Sequence, residues 1–472
     1  MRNNSTDGMR KPSLFIALVP VIIMMLLLII GYGVYHMKAQ ILLITAAFLT
    51  GIIAIILKIK WPVLETGIIS NINKAMPAML IMLTVGILVG SWIIAGTIPM
   101  IIYYGLKIIS PQYFLVTASF VCSLVSLATG TSWGTIGTLG VAFIGIATAL
   151  GMPLGQSAGA IVAGAYFGDK ISPFSDVTNL APVVAGSNLF DHIKHMMKSA
   201  VPAWLIGLFI YFIIGLNYSQ AHTESKTMIL IMSTLKEHFA FNLWLLLPMV
   251  VVFYFAFAKK PVLPGMIISS FAAGILAVIF QGASFVDVAT AMNTGFISNT
   301  GVAVVDKLIS RGGIMSMMEV QLVAFAAFAF SGIMQASGLL DVIFQKIKRF
   351  TKHGWSLVSV TVATAITTAL VTGSSYLSMI VPGELLSPIY KEKKLAAKNL
   401  SRIVEESGAI IVPLIPWSMA GVYVTGTIGV SPFEYLPWAF MNYISVIILL
   451  IYGATGFTMD KKKNSDETLS GS

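Results

Sequence analysis

The chain has 472 residues, of which 57% are hydrophobic and 10% are charged. A soluble domain carries about 25% charged residues, so this composition excludes a soluble enzyme, and the single cysteine, Cys122, in an apolar stretch, excludes an intramolecular disulfide framework. The formal charge of +10 does not gather into a nucleic-acid-binding module. Its basic residues recur between hydrophobic runs, the pattern of membrane topology.

Taken in chain order, runs long enough to cross a bilayer, about 20 residues each, occupy 13–32, 39–57, 76–96, 200–216, 241–258, 264–281, 317–340 and 437–457. The first run follows Arg10 and Lys11 and has the outline of a signal sequence. It is too long for an h-region and lacks a small-x-small cleavage site, so it reads as a retained helix. Two further regions, 113–186 and 355–430, are apolar but interrupted by Gly, Pro, Ser and Thr.

Placing the N-terminus inside assigns 22 of the 29 Lys and Arg residues to inside segments and six to outside segments, with Lys170 inside a span. Basic residues concentrate on the cytoplasmic side of membrane proteins, so both ends are expected in the cytoplasm of a bacterial cell. The expected organisation is a cytoplasmic segment 1–12, a first transmembrane unit 13–216, an extracytoplasmic linker 217–240, a second unit 241–457 and a cytoplasmic tail 458–472.

The two interrupted regions repeat each other at an offset of 243. Thr129-Gly130-Thr131-Ser132-Trp133 matches Thr372-Gly373-Ser374-Ser375-Tyr376, and Pro173-Phe174-Ser175 matches Pro416-Trp417-Ser418. Each unit then holds five crossings and one hairpin, and an odd number of crossings inverts the second unit relative to the first. Residues 108–168 contain no charge, and arms of 16 residues span about 24 Å against a hydrocarbon core of about 30 Å. The expected fold class is therefore an all-α polytopic membrane protein: about ten transmembrane helices and two re-entrant hairpins in two inverted-topology repeats, the pattern of secondary transporters.

Of the 19 acids, four lie within the interrupted helices: Asp169, Asp176, Glu405 and Glu406. A carboxylate at membrane depth marks an ion pathway or proton relay by default. Gly168 is expected to end a helix as a left-handed cap, leaving carbonyl oxygens beside Asp169, and oxygen ligands suit a hard cation. Ser172 is the expected cap of a second half-helix starting at Pro173, with Thr178 on it and Asp176 and Asn179 on one face. The hairpin tips Thr129, Thr131, Ser132 and Thr372, Ser374, Ser375 offer further oxygens, as does Ser418 in the second broken helix. Glu405 and Glu406 point about 100° apart on a helix, so one turns to the cavity while one pairs with Arg402. Asp169 could instead pair with Lys170. The six histidines, at 36, 192, 195, 222, 238 and 353, fall outside the expected spans, which argues against an intramembrane histidine relay. His192 and His195 read as part of an interfacial helix.

The stretch Gly130-Thr-Ser-Trp-Gly-Thr-Ile-Gly-Thr138, followed by Ala158 to Ala181 with its Gly168-Asp-Lys-Ile-Ser-Pro-Phe-Ser-Asp176 core and by His192-Ile-Lys-His195, resembles the NhaC family of Na⁺/H⁺ antiporters. Phe174 and Val177 depart from that pattern and leave every polar position in place. The resemblance implies cation–proton antiport with Na⁺ at Asp169 and Asp176 and with Asn179 as a further motif position, no cofactor, and Na⁺, H⁺ and the lipid bilayer as partners. The same family includes antiporters that exchange malate for lactate with Na⁺ and H⁺, so an organic-anion exchanger is the second reading. A homodimer is compatible with either. Catalysis is disfavoured: Gly168-Asp169 lacks the Tyr-Asp partner of an intramembrane aspartyl protease, and there is no His-Glu-x-x-His zinc motif.

Overall fold

The computed structural model describes residues 12–32, 34, 35, 37–218, 226–258, 260–348 and 354–461. The N-terminal segment to residue 11, the centre of the 217–240 segment, the tail from residue 462, and His36, His222 and His353 lie outside the described residues. Among those described, every regular element is a helix apart from one bridge between Leu395 and Lys461. Eight helices are long and apolar enough to cross a bilayer, or up to 11 when each bent pair counts as one span.

The first half runs through α1 (Leu14–Tyr32), α2 (Ala39–Ile56), α3 (Trp61–Ile94) and the shorter α4 (Thr97–Ile108). It continues with α5 (Phe114–Thr129), α6 (Ser132–Ala149), α7 (Leu154–Lys170), α8 (Asp176–Ala185) and α9 (Leu189–Leu216). Helix α3 begins 15 residues before the run that announces it, because Pro62 sits in its first turn, where a missing N–H costs nothing. Helix α9 likewise starts at Leu189 instead of 200, capped by Asn188, whose side chain accepts from the N–H groups of Phe190 and Asp191.

The second half follows as α10 (Lys226–His238), α11 (Leu247–Phe257), α12 (Val262–Gln281), α13 (Phe285–Asn293) and α14 (Ala303–Ile309). Then come α15 (Met318–Ala336), α16 (Leu339–Lys348), α17 (Gly354–Thr372), α18 (Ser375–Glu392), α19 (Ala397–Val404), α20 (Met419–Ile428) and α21 (Phe440–Thr455). The stretch read as a linker carries α10, whose Met228, Ile231 and Leu235 are buried.

The 243-residue repeat has a structural counterpart in its caps. Gly130 and Gly373 both adopt positive φ, 69° and 61°, a conformation that glycine reaches without strain. Thr131 caps α6 by accepting from Gly134 N–H, and Ser374 caps α18 by accepting from Leu377 N–H. Ser175 caps α8 by accepting from Thr178 N–H, and Ser418 caps α20 by accepting from Gly421 N–H. Each tip lies against the break of its own half: a Cβ on Gly130 would sit 2.6 Å from Phe174 C, and one on Gly373 would sit 3.0 Å from Ser418 Cα. Helix α5 packs on α7 through small residues, as membrane helices do at close crossings. There a Cβ on Gly164 would meet Ser119 O at 2.1 Å and one on Gly168 would meet Ser123 O at 2.2 Å.

Two expectations about caps are corrected here. Gly168 does not end its helix; α7 continues through Asp169 to Lys170, and Gly168 is small because Ser123 and Leu127 press against it. Ser172 does not cap the second half-helix, whose cap is Ser175 three residues later; the Ser172 hydroxyl instead donates to Leu127 O at 2.7 Å, pinning the break to the hairpin.

Candidate functional site

The two hairpin tips and the two broken helices meet around a cavity of about 920 Å³. Of the residues singled out from the sequence, Thr131, Ser132, Asp169, Asp176, Ser374, Ser375 and Glu405 line it, together with Trp133, Tyr166, Lys170 and Tyr376. Asn71, Lys74 and Glu384 also line it.

Asp169 is 8% exposed. Its Oδ2 accepts from the Ser132 hydroxyl at 2.7 Å, while its Oδ1 is buried without a hydrogen-bond partner among the described residues. A buried acceptor left unmatched is costly, and the Asp169 residue that carries it lines the cavity. Asp176 differs: it is exposed to the cavity at the start of α8, its Oδ1 accepts from Val177 N–H at 2.8 Å, and Tyr376 Oη donates to its Oδ2. Tyr376 belongs to the second hairpin, so Asp176 ties the two halves together.

Thr178 occupies the junction. Its hydroxyl lies 3.1 Å from Asp169 O, 3.1 Å from Lys170 O and 3.1 Å from Glu405 Oε1, and its single proton serves one of these at a time. Asn179 points away, donating to Pro173 O at 2.9 Å and Ser175 O at 2.6 Å. It belongs to the backbone of the break and not to the cavity wall. Thr129 and Thr372 bond back to their own helices, to Val125 O and Thr368 O, and Ser418 donates to Val412 O.

The charged partners differ from those expected. Lys170 does not pair with Asp169; its Nζ lies 3.1 Å from Glu406 Oε1, both side chains being almost fully buried. The other oxygen of Glu406 accepts from Ser199 at 2.7 Å. Arg402 pairs with neither glutamate and donates to Thr458 Oγ1 at 2.8 Å. Both acids sit in a π-turn over Glu405–Ala409, and Glu405 is the one that lines the cavity. π-turns recur at functional sites.

His192 and His195 are fully buried within the protein. His192 Nε2 lies 2.7 Å from Glu405 Oε2 and its Nδ1 lies 2.9 Å from Ser401 Oγ, while His195 Nε2 lies 3.0 Å from Asn399 Oδ1. The missed signal was helical period: positions 192, 195, 196, 199 and 203 form one inward face, and Asp191, Lys194 and Lys198 form the outer one.

The Trp133 ring, on the cavity wall, stacks on Tyr423 at 4.3 Å and 12°, and Tyr423 Oη donates to Trp133 O at 2.6 Å. A large cavity held between broken helices, with buried carboxylates on its wall, is the arrangement of a membrane transporter.

The family model described as the Na⁺/H⁺ antiporter family matches residues 164–457. An uncharacterized Na⁺/H⁺ antiporter of Haemophilus influenzae is 42% identical over 466 residues, covering 97% of this chain and 99% of its own. The Na⁺/H⁺ antiporter NhaC of Alkalihalophilus pseudofirmus is 34% identical, covering 94% of this chain and 96% of its own. A malate-2H⁺/Na⁺-lactate antiporter of Bacillus subtilis is 35% identical, covering 97% of both. The chain belongs to the Na⁺/H⁺ antiporter family, a family of transporters.

Proposed function

We propose that the chain is a Na⁺/H⁺ antiporter in which Na⁺ and H⁺ compete for Asp169. The observation that carries this reading is the unpartnered Oδ1 of a buried carboxylate on the wall of a large cavity. Either cation neutralises that oxygen, and two cations cannot share it, so exchange follows from exclusion. Ser132 holds the carboxylate in place through Oδ2. Asp176, in contact with Tyr376 of the second hairpin, stands at the entrance, where it attracts cations and links tip movement to occupancy.

The orientation with both ends in the cytoplasm rests on the concentration of Lys and Arg in segments such as 58–75 and 391–402. Lys74, on the cavity wall, lies in the first of these, which supports a cavity open toward the cytoplasm. On this reading the two hairpins are re-entrant and the two halves are inverted repeats of a bacterial cytoplasmic-membrane protein. Alternating access then moves the tips and broken helices against the remaining spans.

A second reading, exchange of an organic anion coupled to Na⁺ and H⁺, is favoured by the cavity volume of about 920 Å³. That exceeds what a cation needs and matches small-molecule sites of about 300–1,000 Å³. Lys74 on the wall would meet a carboxylate. Reconstitution into liposomes loaded with a pH dye separates the two: Na⁺ alone should drive a proton flux. A flux that needs malate or lactate in addition to Na⁺ would overturn the first reading in favour of the second.

A further inference from the structure

The cavity is far larger than a bare cation requires, and an apolar strip runs along it. Val177 and Leu180 of α8 and Leu377, Ile380 and Val381 of α18 line it, each half-buried. Spacings of three and four residues put these side chains on one face of each helix. The two helices run side by side in the same direction. Tyr376 meets Asp176 near their starts, and a Cβ on Gly383 would lie 2.3 Å from Val184 Cγ1 further along. The first turn of α8 also holds the end of α7, since Thr178 Oγ1 lies 3.1 Å from Asp169 O. The strip therefore leads away from the acids of the first break. The next charge on the α18 wall is Glu384, seven residues and about 10 Å beyond Leu377.

Asp169 Oδ1 is buried with no hydrogen-bond partner among the described residues, and Lys170 is drawn off to Glu406 at 3.1 Å. A metal cation compensates the charge of that oxygen but donates no hydrogen bond. A primary ammonium group does both: it carries three N–H donors, and charge-assisted bonds of this kind are strong. An aliphatic chain on the same nitrogen would lie along the strip, and burial of apolar surface on both partners favours binding. A carboxylate head in that place would instead meet Asp169 and Asp176, charges of its own sign. A fully methylated ammonium has no N–H for the vacant acceptor. Ile81 of α3 and Phe328 of α15 add further apolar wall.

We propose that the cavity binds aliphatic primary ammonium ions in place of Na⁺, with the ammonium on Asp169 Oδ1 and the chain along α8 and α18. This rests on the reading of Asp169 as the Na⁺ site. The head competes with Na⁺ for one oxygen, and the chain supplies affinity that a metal cation lacks. Binding is reversible and breaks no covalent bond.

The test is displacement of radioactive Na⁺ from the full-length protein in detergent by ethyl-, butyl- and hexylammonium, with hexanoate and hexanol as controls. A buried methylene gives about fourfold in affinity, so hexylammonium should displace Na⁺ at a concentration roughly 200-fold below that of ethylammonium. Hexanoate and hexanol should displace none. Ile380→Ser and Val381→Thr make the strip polar and should shrink the gain with chain length; Val381→Thr nearly keeps the side-chain shape and serves if Ile380→Ser does not fold. Equal displacement by the three amines overturns the proposal while leaving Na⁺ at Asp169 standing. So does an unchanged gain in the folded variants, or displacement by hexanoate or hexanol that matches hexylammonium. Absence of Na⁺ binding in wild type overturns both readings together.

Discussion

The break between α7 and α8 and the break between α19 and α20 are built on one plan, with a glycine tip pressed against each and a serine capping the helix that follows. Their charges do not repeat. At the 243-residue offset, Asp169 corresponds to Val412 and Asp176 to Met419, while Glu405 and Glu406 correspond to Val162 and Ala163. The first break carries an acid with an oxygen unpartnered; the second half sets its acids earlier, in a π-turn, each with a partner. The caps recur in the two halves and the charges do not: on the proposed function the first break binds the exchangeable cation, and the second half contributes buried charges beside it.

The largest expected effect separates the two halves directly. Asp169→Asn should reduce Na⁺-driven proton flux in liposomes to the background of empty vesicles, because the amide can neither bind a proton at neutral pH nor carry the charge that holds Na⁺. Next comes the ion pair of Lys170 and Glu406. Removing one partner of a buried pair costs about 3–5 kcal/mol, so Lys170→Met and Glu406→Gln should each lower the thermal unfolding temperature in detergent markedly. The double variant should recover much of the loss; additive losses would mean that the two do not act as a pair.

The tips offer a finer comparison. Gly130→Ala should destabilise more than Gly373→Ala, since both have positive φ but the added Cβ would lie 2.6 Å from Phe174 in the first and 3.0 Å from Ser418 in the second. Overpacking of this kind costs about 1–3 kcal/mol, readable as a shift in melting temperature; equal shifts would place the cost in backbone conformation alone. The smallest effect concerns single hydroxyls. Ser132→Ala should raise the Na⁺ concentration for half-maximal exchange about tenfold, since a hydrogen bond to a charged group contributes about 1.5–3 kcal/mol. Ser375→Ala, at the matching position of the second tip, should leave it unchanged.

Much of this was legible in the sequence, for physical reasons that can be named. Acids are so expensive at membrane depth that Asp169, Asp176, Glu405 and Glu406 stand out before any coordinates, and the glycine tips are visible because their positive φ admits little else. What the sequence hid depends on partners far along the chain. Lys170 finds Glu406 and Asp176 finds Tyr376 across the two halves, and neither pairing has a local signature. The burial of His192 is hidden because Lys194 and Lys198 make its segment look aqueous, although those lysines occupy only the outer face of α9. Gly168 and Ser172 were assigned to caps by residue type, whereas contact with α5 decides both.

Competition of Na⁺ and H⁺ at Asp169 is tested most directly by titrating Na⁺ into the purified protein in a calorimeter, in two buffers of different ionisation enthalpy. The heat of binding should differ between the buffers, because protons leave as Na⁺ enters, and Asp169→Asn should bind no Na⁺. Equal heats in the two buffers, or wild-type Na⁺ binding by Asp169→Asn, would contradict the account.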